Sequence, residues 1–345
     1  EPTPSLLRNF SAPVKLSYDY SDEQLLFLMA HDSDGFNRWE AGQTLSLRVL
    51  QTLIQQYQNK ETLVLSKQFI EVFRSILLNK DLDKAMVCKL LMLPAESYLI
   101  ELSEEADVDA IHYAREFVRA ELSAELRSEL EALYHANVSS STDLDFVAMS
   151  QRALKNMALS LLSASPNEQA VLLAKQQFST ATNMTDSHAA LSVLVNSGDD
   201  PAAHAALNEF YDKWHEDAQV LEQWFSVQST SANLTDLDGL KKLIALPDFE
   251  LSNPNKVRSV IGAFCQQNLV NFHHESGDAY ALLAEYIIKL DDLNPQMASR
   301  LMMPLTRWRK FNANRQALML AQLKRIHSKD SLSKDVREVV EKSLP

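Results

Sequence analysis

Apolar residues recur at helical spacing along this chain from about residue 21 almost to its end. Ser21-Asp22-Glu23-Gln24 reads as a capping box, in which a Ser hydroxyl and a Gln amide satisfy free N–H groups reciprocally. Leu25, Leu28 and Met29 then mark one apolar face. The spacing predicts a longer helix from about Phe36 to Tyr57, with Trp39, Leu45, Leu47, Leu50, Leu53 and Ile54 turned inward. Further helical periods fall near 67–78, 83–92, 109–136, 143–163, 167–180, 186–196, 201–216 and 218–229. Others fall near 236–246, 255–266, 278–292, 296–310, 314–327 and 333–343.

The links between these periods are short and carry stop and start signals, as in Ser165-Pro166-Asn167-Glu168, Asn196-Ser197-Gly198-Asp199 and Leu246-Pro247-Asp248. Short links make antiparallel helical hairpins, and hairpins in series make a solenoid. The expected fold is therefore all-α, an irregular α-solenoid of about 16–18 antiparallel helices of the HEAT or armadillo kind. No self-similar consensus of the tetratricopeptide or ankyrin type is present, so the repeats are degenerate. Residues 1–20 differ. They hold Pro2, Pro4 and Pro13 and then the alternation Val14-Lys15-Leu16-Ser17-Tyr18, which predicts an extended segment. A lone strand needs a partner for its backbone groups, so 1–20 is expected to be the end of an upstream β domain and 21–345 the helical domain. The opening Glu1-Pro2-Thr3-Pro4 fits a mid-protein or trimmed start.

Composition sharpens this picture. The chain has 6 glycines in 345 residues, where average usage of about 7% would supply roughly four times as many. Bulges, hairpins and phosphate loops all draw on glycine, so the scarcity favours helices and disfavours nucleotide-binding folds. A net charge of -13 argues against nucleic acid as a partner. Cys88 and Cys265 lie in helical periods without ligand spacing, and buried thiols of this kind suit a reducing, cytoplasmic compartment. No apolar run is long enough to span a membrane.

The usual catalytic constellations are not assembled. His215-Glu216-Asp217-Ala218-Gln219 has Gln where a zinc helix needs its second His, and His274-Glu275-Ser276-Gly277-Asp278 has Asp there. Asp32-Ser33-Asp34-Gly35 has its glycine too early for a calcium loop, and Asp34 is expected to cap a helix instead. The aromatic groups Tyr211, Trp214, Trp224, Phe225 and Trp308, Phe311 are expected in the core. Two arginines stand apart. Arg258 and Arg300 each follow an Asn-Pro helix start, at Asn253-Pro254 and Asn294-Pro295. Each is either solvated or salt-bridged, or is a guanidinium aimed at a ligand carboxylate.

At these segments the chain resembles a known family. Pro4-Ser5-Leu6-Leu7-Arg8-Asn9-Phe10-Ser11-Ala12-Pro13-Val14 is similar to the close of the β-sandwich domain in bacterial aminopeptidase N, the alanyl aminopeptidase family of gluzincin zinc metallopeptidases. Phe36-Asn37-Arg38-Trp39-Glu40-Ala41, Asn183-Met184-Thr185-Asp186, the run from Asn253 to Phe264, and Asn294 to Leu301 resemble parts of its C-terminal helical domain in the same order. The resemblance implies a parent that removes N-terminal residues from peptides, with its zinc and catalytic residues in an upstream domain. It implies no cofactor and no catalytic residue here. Partners would be the upstream catalytic and β domains and peptide substrates, with neither nucleic acid nor membrane. Arg258, Arg300 and Gln296 match positions lining the family's substrate cavity. A rival reading from the residues alone is a non-enzymatic interaction scaffold, which needs the same stacked amphipathic helices. The β remnant at 2–18 separates the two, because a free-standing scaffold would not carry it. An independent helical enzyme lacks any assembled nucleophile, base or metal set.

Overall fold

In the computed structural model, which describes residues 2–345, the chain is an all-α solenoid of 21 α-helical segments. Among the described residues there is no sheet, only an isolated bridge between Ala106 and Phe311. The helix starts follow local chemistry. The Gln24 amide N–H donates to Ser21 Oγ at 3.3 Å and the Ser21 N–H to Gln24 Oε1 at 2.9 Å, closing the capping box. Asp34 Oδ1 accepts from the Asn37 N–H at 3.0 Å and opens the long helix Gly35–Gln58. Leu45, Leu50 and Leu53 of that helix are buried, while Trp39, Leu47 and Ile54 are only half-buried. Arg38 takes a buried place because it donates to the carbonyls of Met29 and Ala30, near the end of the helix Asp22–His31.

Where helices end differently from expectation, a specific group is responsible. The predicted element 109–136 is broken at the buried Leu126 into Val108–Glu125 and Arg127–Ala136. Arg74 donates to the carbonyl of Glu125 at 3.0 Å and pairs with Glu129, which satisfies groups the break leaves free. The predicted element 296–310 becomes Pro295–Leu301, Met303–Thr306 and a 3-10 turn Trp308–Lys310. Pro304 lacks an N–H and can only sit at the start of a helix. A short helix, Glu96–Leu102, was not expected; it buries only Leu99 and Ile100.

Residues 14–18 form no strand, and Val14, Leu16 and Tyr18 are exposed. Ahead of them the chain lies on the loop before the long helix. Asn37 Nδ2 donates to Leu6 O and Ser5 Oγ, both at 2.9 Å, and Arg8 donates to Ser33 Oγ at 2.6 Å. The Phe10 and Phe36 rings meet at 4.7 Å.

The chain divides into two compact units. The first takes in the chain up to Ala95 and Ala110–Val193. Its core includes Phe69, Phe73 and Ile76 from the helix Lys67–Leu78 and Leu154, Ala158 and Leu159 from the helix Phe146–Leu162. The second takes in Glu96–Asp109 and Leu194–Pro345. There the helix Asp278–Asp291 buries Tyr280, Leu283 and Ile287 and packs against Pro295–Leu301 and Ala313–His327. Lys334–Ser343 closes the far side with Val336 and Val340.

Candidate functional site

Both singled-out arginines lie in the second unit on Pro-started helices. Asn253 Oδ1 accepts from the N–H groups of Asn255 and Lys256, and Pro254 occupies the first turn. One turn later the helix widens into a π turn, Arg258–Gly262, where the Ala263 N–H reaches back to Arg258 O. A π turn inserts one extra residue and re-aims the side chains around it. Ser226 Oγ donates to the carbonyl of Ser259 at 3.3 Å, supporting the widened turn from the neighbouring helix Ala218–Ser229. Arg258 is exposed, and its Nη1 donates to Asn255 Oδ1 at 2.9 Å.

Asn294 Oδ1 accepts from the Met297 N–H at 3.0 Å and starts Pro295–Leu301. Gln296 and Arg300 are four residues apart, share one face and are exposed. Neither Arg258 nor Arg300 has an ion-pair partner among the described residues, which leaves the solvated reading and the ligand reading of the two. Their helices have different neighbours: Arg258's packs on Ala218–Ser229, and Arg300's on Asp278–Asp291 and Lys334–Ser343. The arrangement presents two permanent cations, each able to take a carboxylate by two parallel hydrogen bonds.

The near-motifs behave locally. His215 Nδ1 lies 3.1 Å from Tyr211 O, and His274 Nδ1 lies 3.1 Å from Ser276 Oγ. Among the described residues no three His, Cys, Asp or Glu side chains gather as a metal site. Trp224, Phe225, Trp308 and Phe311 are core residues, whereas Tyr211 and Trp214 are only half-buried, and Trp308 Nε1 donates to Ser343 O at 2.9 Å.

Two buried polar networks escaped the sequence reading. In the first unit the Lys155 ammonium meets Asp186 at 2.7 Å, and Asn156 and Asn183 donate to the same carboxylate. Gln177 bridges Asn156 Oδ1 and Asp186 O and accepts from the Tyr134 phenol at 3.0 Å. Burial, and then the Asp186 charge, pushes the Tyr134 phenol up to about 12. In the second unit Arg315 donates to His273 O at 2.7 Å and to Asp109 at 2.6 Å, and His273 Nδ1 lies 2.8 Å from the Tyr280 hydroxyl. The Asn183–Asp186 stretch was a visible signal for the first. Nothing local in the chain signals the second.

These features define an ARM-repeat helical domain. The chain belongs to the family described as "Domain of unknown function (DUF3458_C) ARM repeats", which matches residues 22–345. It is 38% identical over 344 residues to aminopeptidase N of Escherichia coli K12, covering 100% of this chain and 39% of that protein. It is 34% identical over 343 residues to aminopeptidase N of Haemophilus influenzae, covering 99% of this chain and 39% of that protein. The crystal structure of Legionella pneumophila aminopeptidase A in complex with aspartic acid superimposes with a TM-score of 0.87 at 34% identity, over 99% of this chain and 41% of that one. The chain thus spans about 39% of the length of the curated relatives it matches. Among the described residues no helix is long and apolar enough to cross a membrane.

Proposed function

We propose that this chain is the C-terminal helical cap of a zinc-dependent, cytoplasmic aminopeptidase that removes N-terminal residues from peptides. It encloses the substrate cavity and orients the peptide. Arg258 and Arg300, assisted by Gln296, hold the peptide's carboxylate or downstream backbone. Residues 1–20 close a β domain upstream, and the partners are that domain, the catalytic domain and the peptide. The observation that carries this reading is similarity along the whole chain to aminopeptidase N, over about 39% of that protein's length.

In this reading the zinc is held by the upstream catalytic domain. There it would polarise the scissile carbonyl and activate water. The residues of this chain act on binding and position rather than on bond making. An exposed guanidinium without a carboxylate partner loses little on engaging a ligand carboxylate, and each charge-assisted hydrogen bond contributes about 1.5–3 kcal/mol.

The test is Arg258→Ala and Arg300→Ala in the intact parent. On peptides of three or more residues kcat/KM should fall roughly 10- to 100-fold per arginine, while a single-residue aminoacyl anilide is cleaved at nearly the normal rate. Unchanged kcat/KM on the peptides rejects the orienting role. By itself the chain should hydrolyse no aminoacyl substrate, with or without added zinc. The interaction-scaffold alternative rests on the ARM-repeat fold alone and engages none of these residues.

A further inference from the structure

A cavity of about 270 Å³ opens inside the second unit, beside His273. Leu269, Met303 and Phe311 supply apolar wall, and Gln266, His273 and Arg307 supply polar groups. No carboxylate lines it. We propose that this cavity binds a small carboxylic acid with an apolar body.

The argument turns on the His273 ring. It is 3% exposed, lies against Phe311 with centroids 4.2 Å apart, and has Nδ1 2.8 Å from the Tyr280 hydroxyl. The Arg315 charge also acts on that phenol, against the rise that burial causes. The phenol proton needs an acceptor, and among the described residues that hydroxyl has no other hydrogen-bond partner than the His273 ring. His273 Nδ1 is that acceptor. Burial, with the Arg315 charge added, keeps the imidazole neutral, so its single proton resides on Nε2. Nε2–H has no hydrogen-bond partner among the described residues, and the ring borders the cavity. A buried ring whose one unengaged donor is Nε2–H therefore borders an otherwise mostly apolar space.

The second anchor is Arg307. Among the described residues its one ion pair is with Glu101 at 3.7 Å, and both side chains are more than half exposed. A pair of that kind is weak in water and yields to a ligand able to take two parallel hydrogen bonds. One permanent cation, a neutral donor and no acid select an anion over a cation or a zwitterion. A space of about 270 Å³ suits an acid of modest size. The Cys265 thiol is fully buried and its pKa is pushed upward, so it serves as wall and not as nucleophile.

The experiment titrates 3-phenylpropionate and 3-phenylpropanamide separately into the full chain, with histidine nitrogens followed by NMR. The expected outcome is a His273 Nε2–H tautomer whose signal shifts with the acid, and an amide that binds at least tenfold more weakly. Arg307→Gln should weaken the acid roughly tenfold, and Leu269→Trp, which fills the space, should abolish binding. Met303→Trp on the half-exposed wall serves if Leu269→Trp does not fold. An Nδ1–H tautomer, equal affinity for acid and amide, indifference to Arg307→Gln, or binding that survives the filled cavity each overturns the proposal.

Discussion

The Lys155 ammonium and the Asp186 carboxylate stand 2.7 Å apart with side-chain exposures of 5% and 3%. Two charges so far from water are costly singly and tolerable as a hydrogen-bonded pair. Removing one partner leaves the other buried without compensation. Asp186→Ala should therefore destabilise by about 3–5 kcal/mol, read from the urea midpoint. The double change Lys155→Met with Asp186→Leu should recover a large part of that loss. A single variant as stable as the wild type would show the pair to be solvated.

Asn37 ties the N-terminal segment to the first turn of the long helix through Leu6 O and Ser5 Oγ. Nearby, the Phe10 N–H donates to Leu7 O and the Asn9 N–H to Asp34. Asn37→Ala should raise hydrogen exchange at Asn9, Phe10 and Ser11 while changing global stability by only about 1 kcal/mol. Unaltered exchange would mean that the Phe10–Phe36 contact holds the segment alone.

His273 sets a pH dependence. Burial, and then Arg315, lower its pKa from 6.5 to about 3. In the unfolded chain the imidazole takes up a proton below about 6.5, whereas in the folded chain it stays neutral down to about 3. Its contribution to stability is thus complete above pH 6.5 and declines as pH falls toward 3, with a limiting slope of about 1.4 kcal/mol per pH unit. Carboxylates titrate in the same window, so the informative quantity is the difference between wild type and His273→Gln. That difference should shrink on acidification, and a constant difference would refute the assignment.

Gly277 precedes the helix Asp278–Asp291 at φ +73°, and a Cβ built there would lie 2.9 Å from Leu318 Cδ1. Gly198 has φ +74° with nothing within 4 Å of the same position. Both Gly→Ala changes incur about 1–2 kcal/mol of left-handed strain, and only Gly277→Ala adds a side-chain collision. Thermal unfolding should rank Gly277→Ala below Gly198→Ala, and equal melting temperatures would show that Leu318 moves aside freely.

Most helices were legible because their causes are local. Ser21, Asp34, Asn253 and Asn294 cap helices within three residues of themselves, and the apolar period of 67–78 coincides with Lys67–Leu78. The misses have a different origin. The break at Leu126 answers to Arg74, 51 residues from the carbonyl it binds, and the helix Glu96–Leu102 has too few apolar residues for a period to register. The residues of the candidate site were readable as isolated arginines behind Asn-Pro starts. Their freedom from ion pairs was not, because a pair can come from any part of the chain.

What the amino-acid order alone determined is therefore the all-α character, the helix starts and the likeness to aminopeptidase N, since caps and periodicity act over a few bonds. The tertiary structure decided which polar groups are buried and what they meet. Asp109 and Arg315 are 206 residues apart yet 2.6 Å from each other in space, and the same guanidinium holds the His273 carbonyl at 2.7 Å. Burial and hydrogen-bond partnership arise only when distant segments pack, so no local window of sequence contains them.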